Sequence, residues 1–163
     1  MTRLIATFFG AGLLKPAPGT WGSLAALPAA YVLLLIGSWP LLVAGIVVVF
    51  LVGWWATAQE TAGKADHDPS EIVIDEVAGQ WIALLPVAYG AARTGADLTA
   101  LYPGWIAAFL GFRLFDIWKP FPVSWADRKH TAWGVMLDDV IAGIMAAILV
   151  IALAAVAHLW LIK

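Results

Sequence analysis

Long apolar runs, separated by short polar or Pro- and Gly-rich stretches, dominate this chain of 163 residues. An α-helix needs about 20 mainly apolar residues to cross a bilayer. Five windows approach or exceed that length once their flanks are counted. Together they predict an all-α, multi-pass membrane helix bundle with about five transmembrane helices, in a single domain over residues 1–163. The windows are residues 24–36, 41–58, 77–92, 98–118 and 140–162.

An earlier apolar run, residues 4–14, is too short to span a bilayer. A secretory signal is the main alternative, because Arg3 could be its charged start. No clean small-residue cleavage pattern follows, and residues 15–23 are rich in Pro and Gly, which is typical of an ordered loop. We therefore expect a short N-terminal interfacial or re-entrant segment, since irregular backbone at that depth is tolerated where protein buries it.

Composition supports the membrane class. The hydrophobic fraction is 63%, the charged fraction is 12%, and the mean hydropathy is +0.89; these values are far from those of a soluble globular domain. The chain has no cysteine, which excludes a thiol nucleophile. We expect the bilayer as the surrounding partner and no nucleic-acid partner.

Sidedness follows from the number of spans. Five spans place the chain start and loops 59–74 and 119–137 on one face, and turn 37–40, loop 93–97 and the C-terminus on the other. Seven of the nine Lys and Arg residues fall on the first face, which the positive-inside rule makes cytoplasmic. We therefore expect the C-terminus on the opposite side of the membrane.

Five acids stand at the ends of the apolar windows on this face, where desolvation makes charge costly. Helix capping explains one acid of each adjacent pair, because an acid at a helix start complements the helix dipole. Asp116 lies near the C-terminal end of its window, where the dipole disfavours an anion. Ion pairs with Arg113 and Lys119 are the purely structural explanation for it. The five acids are Asp75, Glu76, Asp116, Asp138 and Asp139.

A glycine follows one acid of each pair by four residues, Gly79 after Asp75 and Gly143 after Asp139. Residues four apart share a helix face, and glycine lets another backbone approach closely. We expect the two helices to pack together just below their acids and to bring the carboxylates together. Clustered carboxylates repel unless a cation neutralises them, and a hard divalent cation, Mg²⁺ first, is the natural counter-charge for all five.

Basic residues are interleaved with these acids, and acids that hold a metal beside bases that bind anions describe a phosphate site. Lys119 is the strongest candidate, because it is fixed between Trp118 and Pro120 just after Asp116. The positive-inside signal also explains bases in these loops. The candidate catalytic residues are the five acids and Lys119. The candidate phosphate-binding residues are Lys119, Arg113, Arg128, Lys15, Thr20 and Ser23.

Four ordered blocks carry a resemblance that covers nearly the whole chain. They are residues 17–24 (APGTWGSL), 67–68 with 72–79 (HD and IVIDEVAG), 112–122 (FRLFDIWKPFP) and 134–143 (GVMLDDVIAG). Together they resemble the successive motifs of the phosphatidylglycerophosphatase A family. One departure is visible. That family usually has a Gly-Gly pair before the last block, where this chain has Thr131-Ala132-Trp133 and is one residue shorter.

The resemblance implies an Mg²⁺-dependent phosphatase of the bacterial inner membrane. Such an enzyme removes the terminal phosphate of phosphatidylglycerophosphate, a membrane lipid, to give phosphatidylglycerol. The residues leave the nucleophile open, with metal-activated water and one carboxylate as base the first choice. The patterns of aspartyl-phosphate and histidine-based lipid phosphatases are absent. His67 or His130 could shuttle protons, although lone loop histidines are more often bystanders.

Two other functional classes compete with the phosphatase. A divalent-cation transporter or channel would use the same acids, but it predicts acids throughout the depth of the bilayer, and the interiors of the windows lack them. A small structural subunit with capped helices predicts no metal dependence. One or two metal ions, and a monomer or a dimer, are all compatible with the sequence.

Overall fold

The computed structural model describes residues 1–64 and 66–161, and every regular element in these ranges is helical. The all-α prediction is therefore confirmed for the described residues. Two short elements come first, α1 (Thr2–Ala6) and a 3₁₀ helix (Ala11–Leu13). The remaining helices are α2 (Pro18–Thr61), α3 (Ile74–Thr94), α4 (Tyr102–Trp118), α5 (Val123–Asp127) and α6 (Ala132–Leu161).

Helix α2 consists of two arms joined by a sharp reversal. Gly37 and Ser38 have non-helical backbone angles, and Ser38 adopts a φ of 58°, within the turn predicted at residues 37–40. A Cβ placed on Gly45 would lie 3.0 Å from Leu33 Cδ1, whereas residues this far apart in one straight helix are separated by about 18 Å. The two arms therefore fold back and lie side by side.

Helix α3 is the central helix of the bundle. It packs against α2, α4 and α6, and Val77 and Leu84 are completely buried between them. The Trp81 indole lies in the interface with the first arm of α2, where Nε1 donates a 2.8 Å hydrogen bond to the Ala26 carbonyl. Contacts on so many sides fix the position of α3, and with it the acids in its first turn.

The expectation of about five spans is not confirmed. Within the described residues, two helical stretches have the length and apolarity of a membrane span, Pro18–Thr61 and Ala132–Trp160. The first stretch contains two of the expected windows. Helix α4 is too short to qualify, with only 17 residues, because it begins at Tyr102. Helix α3 carries polar groups that include a buried Gln80. Apolarity alone does not distinguish a helix that faces lipid from one that faces other helices. The last window ends at residue 162, outside the described residues.

The two span-length stretches carry most of their apolar side chains on the surface. Only 17% and 22% of the residues in their most apolar windows are buried, whereas the core helix of a soluble protein buries its apolar side chains. Exposed members include Leu35, Ile36, Val48, Ile148 and Ile151. This surface is suited to contact with lipid and is consistent with association with a membrane.

The N-terminal segment packs beside the start of α3. Its helix ends at Ala6, and Phe8 and Phe9 have positive φ values that turn the chain, so residues 4–14 form no helix of span length. The Val73 backbone N–H donates a 2.8 Å hydrogen bond to the Ala6 carbonyl. This bond holds the residues just before Asp75 against α1.

Candidate active site

The ends of α2, α3, α4 and α6 enclose a cavity of about 250 Å³. All five acids predicted from the sequence line it, together with two of the predicted bases. They meet because α4 runs antiparallel to α3 and α6, so its C-terminal end lies beside their acid-bearing turns. The lining residues are Ala17, Pro18, Gly19, Thr20, Asp68, Ser70, Ile72, Asp75, Glu76, Arg113, Asp116, Lys119, Asp138 and Asp139.

Three carboxylates, Asp75, Glu76 and Asp139, converge in what we call the inner end of the cavity. One oxygen from each lies within 4.8 Å of the others. Asp75 and Asp139 are only 5% and 3% exposed, so little water screens their mutual repulsion. Glu76 Oε2 is buried and has no hydrogen-bond partner among the described residues. Hard oxygen atoms in this arrangement fit a divalent cation, and these three residues can hold one.

Glycine permits the helix contact that brings these acids together. A Cβ on Gly143 would collide with the Gly79 carbonyl oxygen, and a Cβ on Gly79 would lie 2.6 Å from the Asp139 carbonyl oxygen. Helices α3 and α6 therefore touch backbone to backbone one turn below Asp75 and Asp139. The close packing predicted from the four-residue spacing is present in the structure.

Arg113 links three elements at one side of the cavity. Its Nη1 lies 2.6 Å from Asp116 Oδ2 and 3.9 Å from Glu76 Oε1, and it donates a 3.3 Å hydrogen bond to Ser23 Oγ. The Arg113, Asp116 and Glu76 side chains are each 14% exposed. Arg113 therefore compensates Asp116 at the unfavourable end of α4, as the structural explanation requires, while both side chains still face the cavity.

Lys119, Asp127 and Asp138 form what we call the mouth of the cavity. Lys119 ends α4 in the left-handed region, with φ 47°, and its Nζ donates to Asp127 Oδ1 and, at 2.9 Å, to Asp138 Oδ2. Partial burial lowers the pKa of Lys119, but the hydrogen bonds to the two carboxylates outweigh burial and raise the pKa above its usual value. The ammonium group therefore stays protonated at neutral pH.

The first turn of α2 closes a third side of the cavity. Pro18 begins the helix, and Gly19 and Thr20 contribute to the lining. A Cβ on Gly19 would collide with Glu76 Oε1, so a larger residue here would displace the Glu76 carboxylate. The first N–H groups of a helix lack partners within the helix and favour anions. The positive end of α2 therefore faces the acids and any anion bound beside them.

Three of the residues predicted to bind phosphate lie outside the cavity lining. Lys15 and Arg128 are exposed at the surface. Ser23 is completely buried, and its Oγ donates a 2.8 Å hydrogen bond to the Gly19 carbonyl while it accepts the bond from Arg113. Ser23 therefore affects the cavity indirectly, through its hydrogen bonds to Arg113 and Gly19.

Sequence reasoning missed three residues of the site. Asp68 and Ser70 line the cavity, and Asp127 pairs with Lys119. Asp68 could have been found, because it precedes Asp75 in a loop predicted to lie on the same face as the acids. Asp127 gave no such signal, since its approach to Lys119 depends on how α5 folds back after α4.

Comparison with known proteins assigns the chain to a family. A family model described as Phosphatidylglycerophosphatase A matches residues 4–154. The chain belongs to this family. A Haemophilus influenzae relative named Phosphatidylglycerophosphatase A is 40% identical over 153 residues, which cover 93% of this chain and 87% of the relative. An Escherichia coli relative with the same name is 35% identical over 147 residues, which cover 89% and 78%.

A third relative carries a different name. The Bacteroides thetaiotaomicron protein is 40% identical over 151 residues, which cover 90% of this chain and 89% of the relative, and it is provisionally named a phosphatidylinositol-3-phosphatase. Both names describe removal of a phosphate group from a phospholipid. No solved structure matches the chain.

Proposed function

We propose that this chain hydrolyses the terminal phosphomonoester of phosphatidylglycerophosphate to give phosphatidylglycerol and inorganic phosphate. The observation that carries the proposal is a single cavity that brings six acids, the five predicted ones and Asp68, together with two bases at the ends of apolar helices. The acids can hold a metal, the bases can bind a phosphate group, and the apolar surface can keep the enzyme beside a lipid substrate. Family membership and the names of two relatives supply the identity of the lipid.

The acids of the inner end, Asp75, Glu76 and Asp139, would hold the metal directly. Asp116 and Asp138, which line the same cavity, would complete the set directly or through water. Mg²⁺ is the expected ion because every ligand is a hard oxygen. When bound, such an ion polarises phosphoryl oxygens and lowers the pKa of a coordinated water.

Lys119 and Arg113 would bind the oxygens of the phosphomonoester, because both cations face the cavity that the acids line. The N–H groups and the hydroxyl at the start of α2, in Gly19 and Thr20, would add hydrogen-bond donors. Lys15 and Arg128, exposed outside the cavity, would act on the approach of the anionic headgroup.

The reaction is the attack of water on phosphorus while the bond from phosphorus to the glycerol oxygen breaks. The water oxygen remains in the phosphate, and the lipid departs as an alcohol. One cavity carboxylate accepts the proton that the water loses, and the departing oxygen takes up a proton. Lys119 and Arg113 stabilise the negative charge on the phosphoryl oxygens as the bonds exchange.

The cavity would lie at the cytoplasmic face of a bacterial inner membrane, with the C-terminus on the opposite side. Seven of the nine basic residues support this orientation; Lys163 itself lies outside the described residues. Cysteines introduced singly at Lys64 and Ala96 test it cleanly, because the chain has none of its own. An impermeant thiol reagent added outside intact cells should label the second position and leave the first unlabelled. Equal labelling of both would contradict the orientation.

Purified protein in detergent, supplied with Mg²⁺, tests the choice of substrate. Phosphate release should be faster from phosphatidylglycerophosphate than from phosphatidylinositol 3-phosphate at matched concentration. The reverse order would assign the specificity suggested by the name of the Bacteroides relative. Release from neither lipid by folded protein would remove the proposed activity.

The cation-transport alternative has no support in the described residues. All five predicted acids gather in one cavity at one end of the helices, whereas a conduction path requires polar groups through the depth of the membrane. Protein reconstituted in vesicles should therefore pass Mg²⁺ no faster than protein-free vesicles.

A further inference from the structure

The two cations of the cavity are anchored in different ways. Arg113 pairs with Asp116 and lies near Glu76, and both of these acids line the cavity. Lys119 pairs with Asp138, which also lines the cavity, and with Asp127, which does not. Lys119 is thus the cavity cation with a carboxylate partner outside the lining.

The fold holds Asp127 firmly in this position. Helix α5 begins at Val123, shortly after Lys119 ends α4. Val123 and Ala126 are completely buried, and α5 packs against α6, so Asp127 at the end of α5 has little freedom to move. Its side chain is 40% exposed and lies outside the cavity lining, whereas Asp138, the other carboxylate on Lys119, is buried and lines the cavity.

We propose that Asp127 is a positioning residue, which keeps the Lys119 ammonium at the cavity mouth when Asp138 is engaged with a metal. An acid that binds a cation shares less of its charge with a neighbouring lysine. Without Asp127, Lys119 would then lose its fixed position, because a lysine side chain has several rotatable bonds and high conformational freedom. With Asp127 present, the incoming phosphate meets a cation that is already placed. This inference rests on the proposed function of the cavity.

The test is a double-mutant cycle with Asp127→Asn and Lys119→Ala. In the parent, Asp127→Asn should lower kcat/KM for phosphatidylglycerophosphate by about tenfold, mainly through KM, because the lysine that binds the phosphate would no longer be held in position. In the Lys119→Ala background the same substitution should have no further effect. Asp127→Glu, which retains the charge, should recover most of the loss.

Glu71→Gln provides a matched control. Glu71 is 43% exposed and pairs with Arg3 at 3.4 Å, so this variant also removes one exposed ion pair but leaves the mouth unchanged. It should keep parental kinetics. The positioning role would be overturned if Asp127→Asn kept parental kinetics like this control. It would also be overturned if the losses in kcat/KM from the two single variants simply added in the double variant.

A binding readout separates this inference from the proposed activity. Inorganic phosphate should raise the unfolding temperature of the parent in Mg²⁺, and the rise should be smaller in both Asp127→Asn and Lys119→Ala. Absence of lipid hydrolysis together with this pattern would reject the proposed activity and retain the role of Asp127. Equal rises in the parent and in Asp127→Asn would reject the role of Asp127 whatever the enzyme hydrolyses. A variant too unfolded to melt cooperatively would be replaced by Asp127→Ser in the same comparison.

Discussion

The inner end and the mouth of the cavity contain the same type of side chain in opposite electrostatic settings. At the inner end, Asp75, Glu76 and Asp139 crowd together, and the base near them, Arg113, is 3.9 Å from Glu76. At the mouth, the ammonium group of Lys119 contacts two carboxylates at once.

This difference separates the two tasks of the site. Buried acids that lack an equal number of bases require an external cation, which suits the inner end for a metal. At the mouth, Lys119 already neutralises part of the charge of Asp127 and Asp138, and these two acids fix that lysine where an anion can reach it. Substitutions at the two ends should therefore differ in how they respond to Mg²⁺.

Asp139→Asn should have the largest effect, because it removes charge from the inner end with little change in size. We expect activity to fall by about a thousandfold or more, with partial recovery at high Mg²⁺. Phosphate release measured across a Mg²⁺ titration checks this. Asp97→Asn, on an exposed loop away from the cavity, should retain parental activity. Full activity in Asp139→Asn would place this acid outside the metal site.

Lys119→Ala tests the mouth and should have the next largest effect. We expect kcat/KM to fall by about a hundredfold, as for loss of a donor to a charged transition state, with the Mg²⁺ concentration for half-maximal activity unchanged. Lys64→Ala, at an exposed lysine outside the cavity lining, is the control. The same Mg²⁺ response in Lys119→Ala and Asp139→Asn would erase the distinction between the two ends.

Gly143→Ala tests whether the helix contact sets the geometry of the inner end. The added methyl group meets the Gly79 backbone, and overpacking of this kind costs about 1–3 kcal/mol of unfolding free energy. Activity should fall by roughly tenfold, because a small displacement of catalytic groups is costly. Gly90→Ala, where the added Cβ meets nothing within 4 Å, should be neutral or stabilising. A Gly143→Ala variant as stable and active as Gly90→Ala would contradict the contact.

Ser23→Ala should have the smallest effect of this series. Ser23 supports Arg113 and the start of α2 but lies outside the cavity lining, so we expect a loss of a few-fold in kcat/KM and about 1 kcal/mol in stability. Thr94→Ala removes a similar hydroxyl-to-carbonyl bond, from Thr94 to Gly90, at an exposed helix end, and it should leave kinetics unchanged. A Ser23→Ala variant as impaired as Lys119→Ala would instead indicate direct contact with the phosphate.

Much of the inner end could be predicted from the sequence. The four-residue spacing to Gly79 and Gly143 predicted the contact between α3 and α6, because it relies on fixed helix geometry. The count of five windows, from which a shared face for the acids was expected, is not confirmed. Which acid each base contacts could not be predicted in this way. Lys119 follows α4 in a left-handed conformation. That conformation and the position of α5 direct the Lys119 side chain to Asp127 and Asp138. Arg113 is the base that pairs with Asp116.

The number of spans and the role of Ser23 show the same limit of pattern reasoning. Window hydropathy does not register that α3 is enclosed by other helices or that the first two windows form one bent stretch. Ser23 lies close in sequence to the cavity-lining Thr20, but helix rotation turns its hydroxyl back to the Gly19 carbonyl. Such packing relations depend on several elements at once and have no local sequence signal.

The dependence of phosphate release on free Mg²⁺ decides whether the acids of the inner end work by holding a metal. Purified protein with phosphatidylglycerophosphate should release no phosphate in excess chelator, and release should rise to a plateau as free Mg²⁺ is restored. Equal rates of release in chelator and in saturating Mg²⁺ would show that the acids of the inner end work without a metal, and would reject the proposed metal site.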